Sequence, residues 1–242
     1  VLNDHRTPAS ERRGIRGQLS AISDVLLFSP TVAEGDPLVD SYIVAEGDNP
    51  TVIVRKQALP IESSFLLKIN GIADARRMRI GQKLKIVRVP FHVVVHKDDY
   101  RMDLYMGPPP SAGSRTLAEG QDEHWTYIRS FPVGLGESNG TPEGAFVVRP
   151  KSKLTNPRWV NPRTGEVFQP DDPKNPIGEH WIGLDGTDAN TAKFAGYGIH
   201  GTTEPDSIGQ SRSMGCVRMH ADDVALVYGV LLDRVSTVRI VK

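Results

Sequence analysis

The sequence predicts an α+β protein in three parts: an N-terminal helical segment over residues 1–38, a small β-α-α-β unit over 39–89 and a mainly-β domain over 90–242. Three observations carry this division. Ile15, Leu19, Ile22 and Leu26 recur at helical spacing behind Thr7-Pro8. Two short β-prone runs, Tyr42-Ile43-Val44 and Lys83 to Val89, bracket two helix-forming stretches. From Phe91 onward, β-branched and aromatic runs alternate with Gly- and Pro-rich turns.

In the first part, Thr7 supplies the side chain of an N-cap and Pro8 suits the first helical position, where its missing N–H is harmless. Glu11, Arg12, Arg16 and Asp24 fall off the apolar face, and Ser29-Pro30 ends the helix. Gly14 and Gly17 weaken its first turns, so packing must stabilise it. A plain packing role and a partner-binding or membrane-proximal spacer role are both open. The turn-rich Ala33-Glu34-Gly35-Asp36-Pro37 leads to the second part. There the strand Tyr42-Ile43-Val44 is followed by the turn Gly47-Asp48 and by helices over Thr51–Leu59 and Glu62–Ile69. Asn70-Gly71 is a stop, and Lys83–Val89 is the closing strand.

Pro90 is the hinge into the third part. Phe91-His92-Val93-Val94-Val95 predicts a strand, with Met102-Asp103-Leu104-Tyr105 as its hairpin partner after the turn Lys97-Asp98-Asp99-Tyr100. Gly107 to Gly120, rich in Pro, Gly and Ser, predicts a mobile surface loop. Strands resume at Trp125–Val133 and Gly144–Arg149. Arg158 to Asn175 predicts a long ordered loop, either a lid over a site or a lattice of turns joining strands. Asp222–Leu232 carries Val224, Leu226, Val227, Val230 and Leu231 at helical spacing behind acidic Asp222 and Asp223, which a helix N-terminus favours. Val235–Val241 predicts the last strand.

Charge is balanced, with 29 basic and 29 acidic residues among 242, so nothing global points to nucleic acid or to an anionic membrane. One cysteine forbids a disulfide within the chain. No apolar run approaches the ~20 residues that span a membrane, and no signal-peptide core is present. No carboxylate pair stands out as the acid/base couple of a glycosidase.

That single cysteine is the focus of the candidate chemistry. A thiol is a weak nucleophile until it loses its proton, and His200, upstream of Cys216, is the obvious acceptor. The polar loop from Thr203 to Arg212 contains Pro205 and Gly209 and can bring its ends together. Gly215 permits a tight approach beside the nucleophile, and the N–H groups of Gly215 and Cys216 are candidate donors to an oxyanion. Arg218 suits a substrate carboxylate through its planar fork. Two other readings stand beside this one. A lone cysteine is often a small buried hydrophobe, and a zinc site of His200, Cys216 and His220 is conceivable but lacks the usual fourth ligand. His220 reaches Cys216 only if the segment is helical, and His180 beside Trp181 reads as a structural or groove residue.

Here the sequence resembles the L,D-transpeptidases of bacterial cell-wall synthesis, the YkuD catalytic domain. The family signature, a His-Gly or His-Ser pair, a loop and then Ser/Thr-His-Gly-Cys-hydrophobic-Arg, is matched by His200-Gly201-Thr202 and Ser213-Met214-Gly215-Cys216-Val217-Arg218. Thr141-Pro142-Glu143-Gly144, Asn175-Pro176-Ile177-Gly178, Trp181-Ile182-Gly183-Leu184 and Ser207-Ile208-Gly209 extend the likeness. Met214 stands where the signature has histidine. The resemblance implies a β-sandwich catalytic domain in which Cys216 is acylated, His200 is the base and the Gly201 carbonyl orients it. Gly215 lines the oxyanion site, while Arg218, Ser213, Met214 and Tyr197 meet the donor. It implies 3→3 cross-linking of peptidoglycan stem peptides with release of D-alanine. Capture of carbapenems and an extracytoplasmic location behind a signal or anchor absent from this chain are implied too. No metal or organic cofactor is implied. Water as acceptor, which gives an L,D-carboxypeptidase, a lipoprotein lysine as acceptor, and a catalytically impaired wall-binding scaffold are the alternatives.

The second part resembles a LysM module, matched by Tyr42-Ile43-Val44, Gly47-Asp48, Leu67-Lys68-Ile69-Asn70 and Ile80-Gly81-Gln82-Lys83-Leu84. Asn49-Pro50 departs from its pattern. Binding of glycans that contain N-acetylglucosamine and a purely structural role are both open.

Overall fold

The computed structural model describes residues 7–110 and 124–242. The chain divides into two compact units, one from the described residues of Val1–His92, Leu104–Ser130 and Gly229–Leu232, the other from Val93–Asp103, Phe131–Tyr228 and Asp233–Lys242.

The first unit opens with α1, Ala9–Leu26, entered through Pro8 rather than capped by Thr7. The expected apolar face packs only in its first half, where Ile15 and Leu19 are half-buried, while Ile22 and Leu26 further on are exposed. Ser23 and Leu27 are buried, whereas Ile22 is 51% and Val25 60% exposed. The helix is turned by polar anchors at its C-terminal end. Lys85, fully buried, donates from Nζ to the Ser29 carbonyl at 2.9 Å and to that of Leu26. Asp24 meets Arg129 at 3.3 Å, and Phe28 packs edge-on against Phe65 at 6.0 Å. A buried ammonium on the last carbonyls of a helix satisfies acceptors that helix geometry leaves open, and this overrides a weak apolar stripe. Burial pushes the Lys85 pKa down.

The β-α-α-β pattern forms as β1 (Val39–Ile43), α2 (Pro50–Lys56), α3 (Ser63–Ile69) and β2 (Lys83–Val87), with β1 antiparallel to β2 and Tyr42 opposite Leu84. Asn49 caps α2 by accepting from the Val52 N–H at 2.9 Å, with Pro50 at the first helical position. Asn70 fastens α3 to β2. Its amide donates to the Leu66 and Lys85 carbonyls, each at 2.9 Å, and its oxygen accepts from the Lys85 N–H at 2.7 Å. Ile53, Phe65, Leu66, Ile69, Leu84 and Ile86 fill the core, each contributing about 1.5–3 kcal/mol by burial.

The remaining strands are β3 (Phe91–His96), β4 (Arg101–Met106), β5 (Thr126–Pro132), β6 (Leu135–Gly136), β7 (Gly144–Thr155), β8 (Trp159–Val160), β9 (Val167–Phe168), β10 (His180–Gly186), β11 (Gly198–His200), β12 (Ser211–Ser213), β13 (Val217–Arg218) and β14 (Thr237–Val241), with α4 (Ala221–Val230) before the last. The ends of β3, β4 and β5 that belong to the first unit include His92, whose ring stacks on Trp125 at 4.4 Å.

In the second unit the strand order is β13-β11-β10-β7-β14-β3-β4. Pairing is mixed: β11 with β13 and β14 with β3 are parallel, while β10 with β11, β10 with β7 and β14 with β7 are antiparallel. Two strand pairs lie apart, β6 with β12 and β8 with β9. β7 continues to Thr155 instead of ending at Arg149, because Lys151 at φ 57° and a register shift opposite, between Ile182 and Leu184, let pairing resume. The Arg158–Asn175 stretch contains the β8–β9 hairpin, with Trp159 opposite Phe168. Its base is closed by Asn156, which donates to Asp171 Oδ1 at 2.5 Å and accepts from the Asp171 N–H at 2.6 Å. Of the expected Gly107–Gly120 loop, residues 111–120 lie outside the described residues. No helix among the described residues is long and apolar enough to cross a membrane.

Candidate active site

The site grows from β11, which lies between β10 and β13. Ile199, Ile182 and Val217 are buried on one side of these strands. Side chains alternate along a strand, so the other side presents Trp181 and Arg218, both directly opposite His200 in their pairings. Cys216, in the bend directly before β13, lines the same cavity as His200. The imidazole stacks on the Trp181 ring at 5.7 Å. Gly198 makes room here, because a Cβ on it would lie 2.7 Å from the Trp181 ring. Trp159, Trp181, Tyr197, His200, Cys216 and Arg218 share the walls of a cavity of about 300 Å³.

The polar loop after Thr202 does fold back, by specific bonds. Pro205–Ser207 forms a 3-10 turn, the Gly209 N–H donates to the Val133 carbonyl at 3.0 Å, and β12 runs parallel to β6. This returns Ser213 to Cys216. The Ser213 hydroxyl is buried, donates to the Cys216 carbonyl at 2.6 Å and accepts from the Gly215 N–H at 3.1 Å. The expectation that the Gly215 N–H points at an oxyanion is therefore corrected: Ser213 already accepts it. Ser213 is likewise turned into the loop. Gly215 instead matters for shape. At φ 132° a Cβ would stand 2.5 Å from Tyr197 Cε1 and 2.8 Å from the Gly140 carbonyl. Buried Thr141 locks the turn, donating to the Gly215 carbonyl at 2.9 Å and accepting from the Gly136 N–H at 2.8 Å.

His200 is 5% exposed, and its Nδ1 lies 2.6 Å from the Gly201 carbonyl. A carbonyl only accepts, so Nδ1 carries the proton and Nε2 is left with its lone pair. Burial lowers the His200 pKa from 6.5 to about 4; the Gly201 bond opposes this and the Arg218 charge adds to it. Cys216 has the opposite shift. Burial raises its pKa from 9.0 to about 11, against the Gly198 backbone and the Arg218 charge, both of which lower it. The sulfur lies 3.8 Å from the Gly196 carbonyl, to which the S–H donates. Both shifts favour the neutral forms, a thiol and a free base lining one cavity rather than a preformed ion pair.

Arg218 is anchored through its backbone, which exchanges N–H···O bonds with Gly134 at 2.8 and 2.9 Å. Its Nη1 donates to Glu204 Oε2 at 2.9 Å. Met214 is 39% exposed on the cavity rim. His180 belongs to the opposite face of β10 and packs on Tyr228 with rings 4.8 Å apart. His220 precedes α4, accepting from the Val224 N–H through its carbonyl. Among the described residues no group of three His, Cys, Asp or Glu side chains is placed to hold a metal. Sequence reasoning missed Thr141, Gly198, Trp159 and Glu204 as parts of this site; Thr141 and Trp181 stood in runs that signalled the family but carried no role.

A sequence model of the YkuD L,D-transpeptidase catalytic domain matches residues 110–240, more than half of the chain, and the chain belongs to this family. YqjB of Bacillus subtilis, whose name classes it as an L,D-transpeptidase, is 39% identical over 101 residues, covering 40% of this chain and 51% of that protein. YkuD of the same organism, similarly named, is 26% identical over 185 residues, covering 76% and 88%. The chain thus spans about half the length of the first of these relatives. An L,D-transpeptidase structure from Mycobacterium smegmatis aligns with a TM-score of 0.41 at 14% identity over 68% of this chain and 65% of that one.

Proposed function

We propose that the chain is an L,D-transpeptidase that forms 3→3 peptidoglycan cross-links through a thioester on Cys216. Its residues 90–242 are the catalytic domain, 39–89 a LysM-like module for wall glycan and 1–38 an N-terminal helical segment, all acting outside the cytoplasmic membrane. The observation that carries the reading is the fixed tautomer of His200, which shares a strand face with Arg218 and a cavity with both Arg218 and Cys216.

In this mechanism the donor's third-residue carbonyl is set beside the sulfur. His200 Nε2 takes the thiol proton as the C–S bond forms, so the thiolate is generated only as it is consumed. The Cys216 N–H stabilises the oxyanion, with Gly215 keeping that wall free of a side chain. Collapse breaks the C–N bond, and the imidazolium returns its proton to the departing D-alanine amine. An acceptor amine then attacks the thioester, gives its proton to His200 and releases the thiol. Arg218 holds a donor carboxylate, while Tyr197 and Met214 border the donor. Ser213 acts through the loop it braces. No metal or organic cofactor enters these steps.

Disaccharide-tetrapeptide prepared from sacculi tests the proposal. The expected products are free D-alanine and a 3→3 dimer, both lost in Cys216→Ala. Tripeptide without dimer identifies water as the acceptor and removes the transpeptidase assignment. Retention on sacculi without any D-alanine release overturns the enzyme reading in favour of a wall-binding scaffold.

A further inference from the structure

Glu204 is not required by the acyl-transfer scheme, yet its placement is over-determined. Its carbonyl accepts from the Ser207 hydroxyl at 2.6 Å and from the Ser207 N–H at 2.9 Å, and its N–H donates to Thr202 Oγ1 at 3.0 Å. Pro205 follows directly and fixes the exit of the chain. The result is a rigid backbone that delivers one carboxylate to Nη1 of Arg218 at 2.9 Å. The two partners differ in burial: the Arg218 side chain is 15% exposed and that of Glu204 63%. The guanidinium also retains a buried Nε–H with no hydrogen-bond acceptor among the described residues. Arg218 lines the same cavity as Cys216, whereas Glu204 reaches it from outside.

A mostly buried guanidinium is costly when left unpaired, whereas an exposed carboxylate returns to water at little cost. From this asymmetry we propose that Glu204 is a specificity-determining placeholder, which occupies Arg218 until an acyl donor with a carboxylate near its reacting carbon displaces it. The exchange swaps one ion pair for another, and the incoming carboxylate also meets the unused Nε–H. A neutral donor leaves the Glu204 pair in place, whereas an anionic donor has to displace it, so Glu204 sets how far carboxylate-bearing donors are favoured over neutral ones. This role rests on the acyl-transfer reading of the site, but its test does not.

The probes are iodoacetate and iodoacetamide, which alkylate the same sulfur. In each, the thiol proton passes to His200 Nε2 and on to water, a C–S bond forms on the methylene carbon as the C–I bond breaks and iodide leaves, and the two differ only in carboxylate against amide. Cys216 is the only cysteine, so intact mass reports its alkylation directly. In Glu204→Gln the iodoacetate-to-iodoacetamide rate ratio is expected to rise about fivefold, the upper end for an exposed ion pair. In Arg218→Lys, and in the double variant, that rise should vanish, because a point charge lacks the fork that binds a carboxylate. A ratio unmoved by Glu204→Gln overturns the proposal. So does an equal fall in both rates, which marks Glu204 as a brace for Arg218. The readout requires no acyl transfer, so failure of D-alanine release and failure of the placeholder are separately visible.

Discussion

Replacing His200 by Gln is expected to lower the rate of Cys216 acylation by about 10²- to 10⁴-fold, in the range of a lost general base. With the thiol raised to about 11, only about one molecule in 10⁴ carries a thiolate at pH 7 without a base to take the proton. The variant's rate should therefore climb about tenfold per pH unit toward pH 11, whereas the wild-type rate stays level down to the titration of His200 near 4. Stopped-flow or quenched mass measurements across pH separate the two profiles. Stability carries the same signature. The imidazole binds a proton at about 6.5 when unfolded and at about 4 when folded. Between these values the unfolded chain holds the extra proton. The His200 contribution is therefore complete above pH 6.5 and disappears as pH falls through 4, a swing of about 3 kcal/mol. Urea titrations at pH 7 and pH 4.5 should show it in wild type and not in His200→Gln.

Gly215→Ala should be the most disruptive single methyl in the site. The left-handed φ of 132° strains any side chain, and the new Cβ would meet both the Tyr197 ring at 2.5 Å and the Gly140 carbonyl at 2.8 Å. A ring can turn, but that carbonyl belongs to the turn that Thr141 locks, so the loop carrying Cys216 has to move. The expected result is a loss of about 2–4 kcal/mol of stability together with acylation at least about 100-fold slower, since small misplacements of a nucleophile have that effect. Gly209→Ala is the control. Its φ of 80° is also left-handed, but nothing lies within 4 Å of the new atom, so it should lose only about 1–2 kcal/mol. Equal effects from both substitutions would show that backbone strain alone, and not the crowding at Tyr197, governs position 215.

Much of this was legible in residue types. Strand and helix periodicity located β1, α2, α3, β2, α4 and β14 to within a few residues, because each carries its own apolar pattern and turn chemistry. That His200 and Cys216 would come to line one cavity was legible because histidine and cysteine are rare residue types standing here in a recognisable spacing. What stayed hidden depended on partners distant in sequence. The inward face of the C-terminal half of α1 follows the polar anchors Lys85 and Arg129, which leave Ile22 and Leu26 exposed. β7 runs on past Arg149 because β10 adjusts its register opposite. The fate of the Gly215 N–H turns on a serine hydroxyl two residues back, which no pattern of types predicts. Glu204 looked like an ordinary loop residue until Arg218 proved to lie within reach.

The central claim, that Cys216 is a nucleophile in a working acyl site, is tested most directly by intact mass spectrometry after incubation with a carbapenem. The wild-type protein should gain one acyl adduct per chain, and folded Cys216→Ala should gain none. A folded wild-type protein that stays at its own mass, or an adduct that survives the Cys216→Ala substitution, would contradict the account.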